Sequence, residues 1–216
     1  MKALSRWLAP LRPGRAALLW GEPLRPLAAA WGVARGAPVF IVDAANRFDP
    51  YQLVREARTR GRDPQEALAR ARVARAFTSH QLVRLLKEEL ARELTPGGLA
   101  LVLGPVSLFY DEQVPLKERR RLFQEMVDTL TAIKTRAPIL LLQPLLPRGA
   151  TNRHFGRLLT PLLEIIGVVG EVAAEGREGV KPRLAPEISL SLRAATSIDK
   201  PCSPPRAVKK GSLKWT

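Results

Sequence analysis

A chain of 216 residues is long enough to bury a hydrophobic core, and its 46% hydrophobic and 25% charged residues are typical of a globular protein. The formal net charge of +15 favours polyanionic partners such as nucleic acid, although a solvated arginine-rich surface needs no ligand. One cysteine, Cys202, and two histidines, His80 and His154, exclude an intramolecular disulfide and a Cys/His metal centre, so no cofactor is expected.

The first residues and the hydropathy of the chain indicate a cytoplasmic protein. The opening segment, MKALSRWLAPLRPGR, is interrupted by proline and arginine too often to form the apolar core of a signal peptide. No apolar run approaches the roughly 18 residues that a membrane-spanning helix needs. We therefore expect no membrane partner.

Short apolar segments rich in β-forming residues alternate with longer amphipathic segments. This alternation predicts an α/β fold with a mostly parallel central sheet flanked by helices. The predicted strands cover residues 16–20, 38–43, 72–77, 99–103 and 138–143.

Two Asp-Pro pairs mark the beginnings of helices. The pairs at residues 49–50 and 63–64 have the pattern of an N-cap followed by proline at the first helical position. They predict a helix that runs to about residue 60 and a second, short helix.

Two further helices are predicted downstream. Thr78 or Ser79 can cap an amphipathic helix over residues 81–94. Pro115 opens the longest helix, which extends to about residue 136. The residues at the spacing of its apolar stripe are Leu116, Arg119, Phe123, Met126, Val127 and Leu130.

The last third of the chain changes in character. An irregular stretch over residues 144–160 precedes two apolar segments, 168–174 and 180–184, that predict a C-terminal β-hairpin. From about residue 194 proline, serine and lysine dominate, which predicts a disordered basic tail. The predicted organisation is an N-terminal extension (1–14), one core domain (15–193) and this tail (194–216).

Several motifs resemble the RecA/RadA family of recombinase ATPases, in the order and at about the spacing of that family. FIVDAANRFDPYQLVREA, residues 40–57, is similar to the stretch in which a strand ends in Asp-Thr-Glu-Gly and continues through Thr-Phe-Arg-Pro into a helix. VARAFTSHQLVRLL, residues 73–86, is similar to the family's Ala-Arg-Ala-Phe strand followed by His-Gln. LALVLGPVSLFY, then LKERRRLFQEMVDTL, resembles the Walker B strand and its helix, and Gln143 ends a strand similar to the one that ends in Asn-Gln.

The resemblance implies a RecA-like three-layer fold over about residues 15–192. A mostly parallel central sheet would be flanked by helices, with a C-terminal β-hairpin. It also implies a P-loop, a catalytic Glu and a Walker B Asp, and this chain departs from the family at each of these positions.

The segment that matches the P-loop is GEPLRPLA, residues 21–28. Gly21 and Glu22 fit the family's opening, but Leu27 takes the place of the phosphate-binding Lys and Ala28 that of the magnesium-binding Ser or Thr. Leu24 and Pro26 occupy later glycine positions, and proline has no N–H to offer a phosphate.

Two further catalytic positions are changed. Ala45 stands where the family has its catalytic Glu, and Gly104 stands where the Walker B Asp ends its strand. Without a cation, a metal ligand and a general base, phosphoryl transfer loses both its positioning and its charge stabilisation. We therefore expect a protein without ATPase activity, and Asp43 is expected to be structural.

The first functional hypothesis is an accessory factor in DNA recombination or repair that binds DNA, an active RecA/RadA-type protein, or both. In the family the loops after the fourth and fifth core strands face DNA. Here the first loop is trimmed to residues 110–114 and is acidic at Asp111 and Glu112, which departs from the family. The second is rich in groups that contact phosphates or stack on bases. The candidate DNA-binding residues of this loop are Arg148, Asn152, Arg153, His154, Phe155 and Arg157. Those of the tail are Lys209, Lys210 and Lys214.

The second hypothesis is a protein–protein interaction module on a RecA-like scaffold with no nucleic-acid role. RadA-type proteins polymerise through a Phe-x-x-Ala segment, and the first fifteen residues contain no such tetrapeptide, so oligomerisation stays open. An enzyme is the third hypothesis. Ser107, Asp111 and His154 have suitable chemistry, but no spacing brings them together.

Overall fold

The computed structural model describes residues 12–21, 24–110, 113–144 and 168–172. The chain divides into two compact units, Met1–Arg183 and Leu184–Thr216, and every described residue belongs to the first. The predicted boundary between the core and the basic tail, at residue 193, lies outside the described residues.

A parallel sheet of six strands forms the framework. Its strands are β1 (Ala16–Gly21), β2 (Val39–Asp43), β3 (Ala71–Arg75), β4 (Leu99–Leu103), β5 (Ile139–Gln143) and β6 (Val168–Val172). The order across the sheet is β3-β2-β4-β5-β1-β6, and each neighbouring pair is parallel. All five strands predicted in the first two thirds of the chain are confirmed, and so is the α/β class.

Helices connect the strands, as the capping residues predict. They are α1 (Leu24–Arg35), α2 (Pro50–Thr59), α3 (Pro64–Ala69), α4 (Ser79–Arg84), a π-helical turn (Leu85–Leu90), α5 (Ala91–Glu93) and α6 (Leu116–Arg136). Asp49, Asp63 and Thr78 each accept a backbone N–H as the N-cap of α2, α3 and α4. In the described part of the chain, no helix combines the length and the apolar character that crossing a membrane requires.

The central strands are buried on both faces. One core cluster joins residues of α1, α2 and α3 to alternate residues of β2, β4 and β5, such as Ile41, Leu101 and Leu140. The intervening residues of these strands are also buried and point to the opposite face, because side chains alternate along a strand. There the sheet meets the π-helical turn and α6. The result is a three-layer α/β arrangement.

Three details differ from the prediction. Strand β3 ends at Arg75, not at residue 77, because the Phe77 N–H is bonded to the side chain of Gln81 at the start of α4. Leu116 is 47% exposed and does not belong to the buried stripe of α6. The helix predicted over 81–94 contains a π-helical turn, which apolar periodicity does not reveal.

The predicted C-terminal hairpin is described only in its first strand. Strand β6 falls within the predicted segment 168–174 and lies parallel to β1. The second segment, 180–184, lies outside the described residues.

Candidate functional site at the carboxyl edge of the sheet

The residues that matched ATPase motifs follow the carboxyl ends of β1, β2, β4 and β5. Ligands of open α/β sheets bind in crevices at this edge, so it is the place to look for a nucleotide site.

The connection between β1 and α1 is too short for a phosphate cradle. Gly21 is the last residue of β1 and α1 already begins at Leu24, so the positions that match the later P-loop glycines are helical. Ala28, at the place of the magnesium-binding residue, is 2% exposed and belongs to the apolar core. Glu22 lies outside the described residues.

Asp43, at the end of β2, is completely buried and serves the fold. Its carboxylate accepts the backbone N–H groups of Arg47 and Phe48, each at 3.0 Å. One carboxylate oxygen lies 3.6 Å from the guanidinium of Arg75, which follows from the pairing of β2 with β3. Through these contacts Asp43 holds the turn after β2 in place.

Ala45 and Gly104 lie against each other, where the resemblance implies a catalytic Glu and a Walker B Asp. Gly104 has φ +71°, a conformation that residues with a Cβ rarely adopt. A Cβ at Gly104 would lie 2.6 Å from the Cβ of Ala45 and 2.6 Å from the hydroxyl of Ser107. No larger side chain fits at this position without movement of both loops.

Gln143, at the end of β5, is also completely buried, and its amide is engaged internally. Its side-chain oxygen accepts the N–H of Val106 at 3.1 Å, and its NH₂ donates to Ser107 and to the carbonyl of Pro144. With these three bonds the amide ties β5 to the loop after β4. It therefore does not point towards a ligand.

Tyr110 and Ser107 bring hydroxyl groups to the described part of this edge. Burial raises the pKa of Tyr110 above that of an ordinary phenol, because desolvation disfavours the phenolate. Ser107 lies in a short 3₁₀ helix over Ser107–Tyr110 and accepts a hydrogen bond from Gln143. Asp111 and His154, which a nucleophilic enzyme would need, lie outside the described residues.

The chain was compared with models of known protein families. No family model matches it. Among the described residues there is also no group of three or more His, Cys, Asp or Glu side chains that could hold a metal ion.

The residues predicted to bind DNA all lie outside the described residues. This holds for the loop set (Arg148, Asn152, Arg153, His154, Phe155 and Arg157) and for the tail set (Lys209, Lys210 and Lys214). Their role stays a prediction from the sequence.

Two surfaces of the described residues were not predicted from the sequence. One is the outer edge of β3, beside a shallow cavity of about 170 Å³. The other carries Tyr51 and Phe77, which are the most exposed large hydrophobic side chains among the described residues, at 77% and 65%. A signal for Tyr51 was present, since it lies on the face of its helix opposite the buried Leu53 and Ala57.

Proposed function

We propose that this chain is a RecA/RadA-type core that has lost ATP chemistry and acts as an accessory factor in DNA recombination or repair. It binds DNA, an active RecA-type protein, or both. The observation that carries the proposal is the filled carboxyl edge of the parallel sheet, where Ala45 and Gly104 are in contact.

The strand order bears on the RecA-type interpretation. In the sheets of dinucleotide-binding and flavodoxin-type proteins β1 lies beside β2. Here β1 lies between β5 and β6, and β5 separates it from β4. This order sets the sheet apart from those two common doubly wound folds and leaves the RecA-type interpretation open.

The chemistry of the edge supports the loss of activity. ATP hydrolysis needs backbone N–H groups and a cation around the phosphates, a magnesium ligand and a group that orients water. The matching positions hold a helix with a proline in its first turn, a buried Ala28, and the contact between Ala45 and Gly104. These absences are independent of one another, so one substitution would not restore turnover.

The charge supports DNA as a partner. With 35 Lys and Arg against 20 Asp and Glu, the chain attracts phosphate backbones over long distances and would gain free energy from counterion release. The loop set of candidate residues adds Phe155, which can stack on a base.

Nucleotide turnover tests the proposal. Purified protein is incubated with Mg-ATP, with and without single-stranded DNA, and phosphate release is followed. We expect no phosphate release above that of buffer alone, whether or not single-stranded DNA is present. Turnover that is lost in a Gly21→Pro variant would contradict the loss of ATP chemistry.

A second candidate function, the protein–protein interaction module, is favoured by the edge of the sheet at β3. In the described residues β3 pairs only with β2, so its other side offers free backbone N–H and C=O groups to an extended peptide. The cavity beside it is lined by apolar residues, among them Phe40, Val73 and Leu90, and by the charged residues Arg72, Glu89 and Glu93. Such a site fits a strand-forming segment that inserts one apolar side chain.

The edge of β3 can be tested with a purified RecA/RadA-type recombinase. Val73 is 42% exposed, so Val73→Asp should leave the fold intact while placing a charge in the docking site. Loss of recombinase binding in this variant, with unchanged binding in a Leu116→Asp control, is the expected result. Equal binding by both variants would exclude β3 as the docking edge.

A further inference from the structure

Two exposed aromatic side chains follow neighbouring strands at the same edge of the sheet. Tyr51 lies in the first turn of α2, which begins seven residues after the end of β2, and Phe77 lies two residues after the end of β3. Because β2 and β3 are parallel and paired through Asp43 and Arg75, the two segments leave the sheet side by side.

Two hydrogen bonds join the two segments. The Arg75 side chain donates to the carbonyl of Phe48 at 3.2 Å, and Ala76 donates its N–H to the carbonyl of Asp43 at 3.1 Å. These bonds join the turn ahead of Tyr51 to the residues ahead of Phe77. The positions of both aromatic residues are therefore set by a rigid part of the fold.

Exposure of this size needs an explanation, because large aromatic side chains are normally buried. Phe77 is next to a buried Ala76, and Tyr51 is two residues before a buried Leu53, so the chain does place apolar groups in the core on either side. Tyr51 and Phe77 instead present their rings to solvent.

Exposed arginines lie in the same segments as these two aromatic residues. On α2, Tyr51, Arg55 and Arg58 are spaced by four and three residues, so they lie along one exposed face. Arg47 and Arg75 are exposed in the two segments that leave the sheet.

The local charge is positive at the surface. The four arginines at 47, 55, 58 and 75 are exposed, whereas the carboxylates of the same segments are buried (Asp43) or partly buried (Asp49 and Glu56). Among the described residues, no carboxylate forms an ion pair with Arg47 or Arg58. Their charge is available to a phosphate.

We infer that Tyr51, Phe77, Arg47, Arg55, Arg58 and Arg75 form a binding surface for single-stranded DNA, called here the Tyr51 surface. Bases of a single strand stack on exposed aromatic rings, while arginines contact the phosphates between them. A duplex keeps its bases stacked inside and cannot use the rings in this way. The inference rests on the proposed DNA-binding function and adds a second contact region to the loop set.

The test is the binding of a labelled oligothymidylate to the full chain, followed by fluorescence anisotropy. Because base stacking on an aromatic residue contributes about 1–3 kcal/mol, each change to Ala, Tyr51→Ala or Phe77→Ala, should weaken binding about 5-fold to about 150-fold. The double variant Tyr51→Trp and Phe77→Trp keeps the stacking surface and should bind like the wild type. The matched control, Leu68→Ala with Leu116→Ala, removes two exposed apolar side chains elsewhere and should have no effect.

A second measurement locates the contact directly. An oligonucleotide with photoreactive 5-iododeoxyuridine is crosslinked to the protein, and the modified peptides are identified by mass spectrometry. We expect crosslinks at Tyr51 and Phe77.

The possible failures can be told apart. If the wild type binds DNA but the alanine variants bind equally well, the Tyr51 surface is not a DNA site and the proposed function stands. If the wild type fails to bind at low salt, both the inference and DNA binding as a function are contradicted. If the variants lose only a protein partner, the surface is a protein interface and the inference is wrong.

Discussion

At the scale of single residues, the carboxyl edge is closed by Gly104. Its positive φ lets the chain turn directly after β4, and the space that a side chain would need is taken by Ala45 and Ser107. An Asp at this position, where the resemblance implies a Walker B carboxylate, would force both loops apart.

Gly104→Ala tests this crowding, with Gly97→Ala as its matched control. Both glycines have positive φ, but a Cβ at Gly97 would meet nothing within 4 Å. We expect Gly97→Ala to lower the free energy of unfolding by about 1–2 kcal/mol for the backbone alone. Gly104→Ala should cost about 1–3 kcal/mol more because of overpacking. Equal losses in urea denaturation would show that the loops are not in firm contact.

Asp43 is the second residue that we expect to act on stability. Asp43→Ala leaves the N–H groups of Arg47 and Phe48 without their acceptor, so the free energy of unfolding should fall by about 2–4 kcal/mol. Asp43→Asn keeps one oxygen and should lose less. The exposed Asp128→Ala serves as the control and should change stability by about 0.5 kcal/mol or less. An Asp43→Ala variant as stable as this control would contradict the structural role.

At the scale of elements, exposed ion pairs link α6 to α4 and the π-helical turn. His80 bonds to Glu118 at 2.9 Å and Lys87 to Glu125 at 2.6 Å. The pKa of Glu118 is lowered chiefly by the hydrogen bond from His80, and the pKa of Glu125 chiefly by that from Lys87. Both pairs are open to solvent, so each contributes little and is screened by salt.

The sign of the pH dependence follows from these lowered pKa values. A carboxylate with a lower pKa in the folded state stabilises the protein fully above its unfolded-state pKa, and the effect disappears as the pH falls through the folded-state pKa. We expect Glu118→Gln with Glu125→Gln to be slightly less stable than the wild type at neutral pH. The difference should begin to shrink as the pH falls below about 4.3, the ordinary pKa of Glu, disappear below the lowered folded-state pKa, and be smaller in high salt. A difference that grows on acidification would contradict this explanation.

Elements with a local signal were predictable from the sequence. The Asp-Pro pairs fix the start of α2 and α3, and the continuous apolar run at 99–103 fixes β4 with its observed bounds. The helix α1 begins inside the segment that resembles a P-loop, because Leu24 and Pro26 stand there in place of glycines and are compatible with the first turn of a helix. The π-helical turn, the exposure of Phe77 and the contact of Ala45 with Gly104 depend on distant residues, which a single sequence does not pair.

At the scale of the whole molecule, two features bear on the proposed function: the strand order of the sheet and the excess of basic residues. If the proposed function is correct, the filled carboxyl edge removes ATP turnover and leaves the surfaces that bind partners. The Tyr51 surface and the loop set around Arg148 would then be two contacts for one DNA strand. Binding through phosphates requires that affinity falls steeply with salt.

The most direct test is a salt series of binding to labelled single-stranded and duplex DNA, with and without Mg-ATP. The wild type is compared with a variant in which Arg148, Arg153 and Arg157 are all changed to Ala. We expect an affinity for DNA that falls with salt, is lower in the variant than in the wild type, and is the same with and without Mg-ATP. No binding at low salt, or binding that requires ATP, would contradict a DNA accessory factor without ATP chemistry.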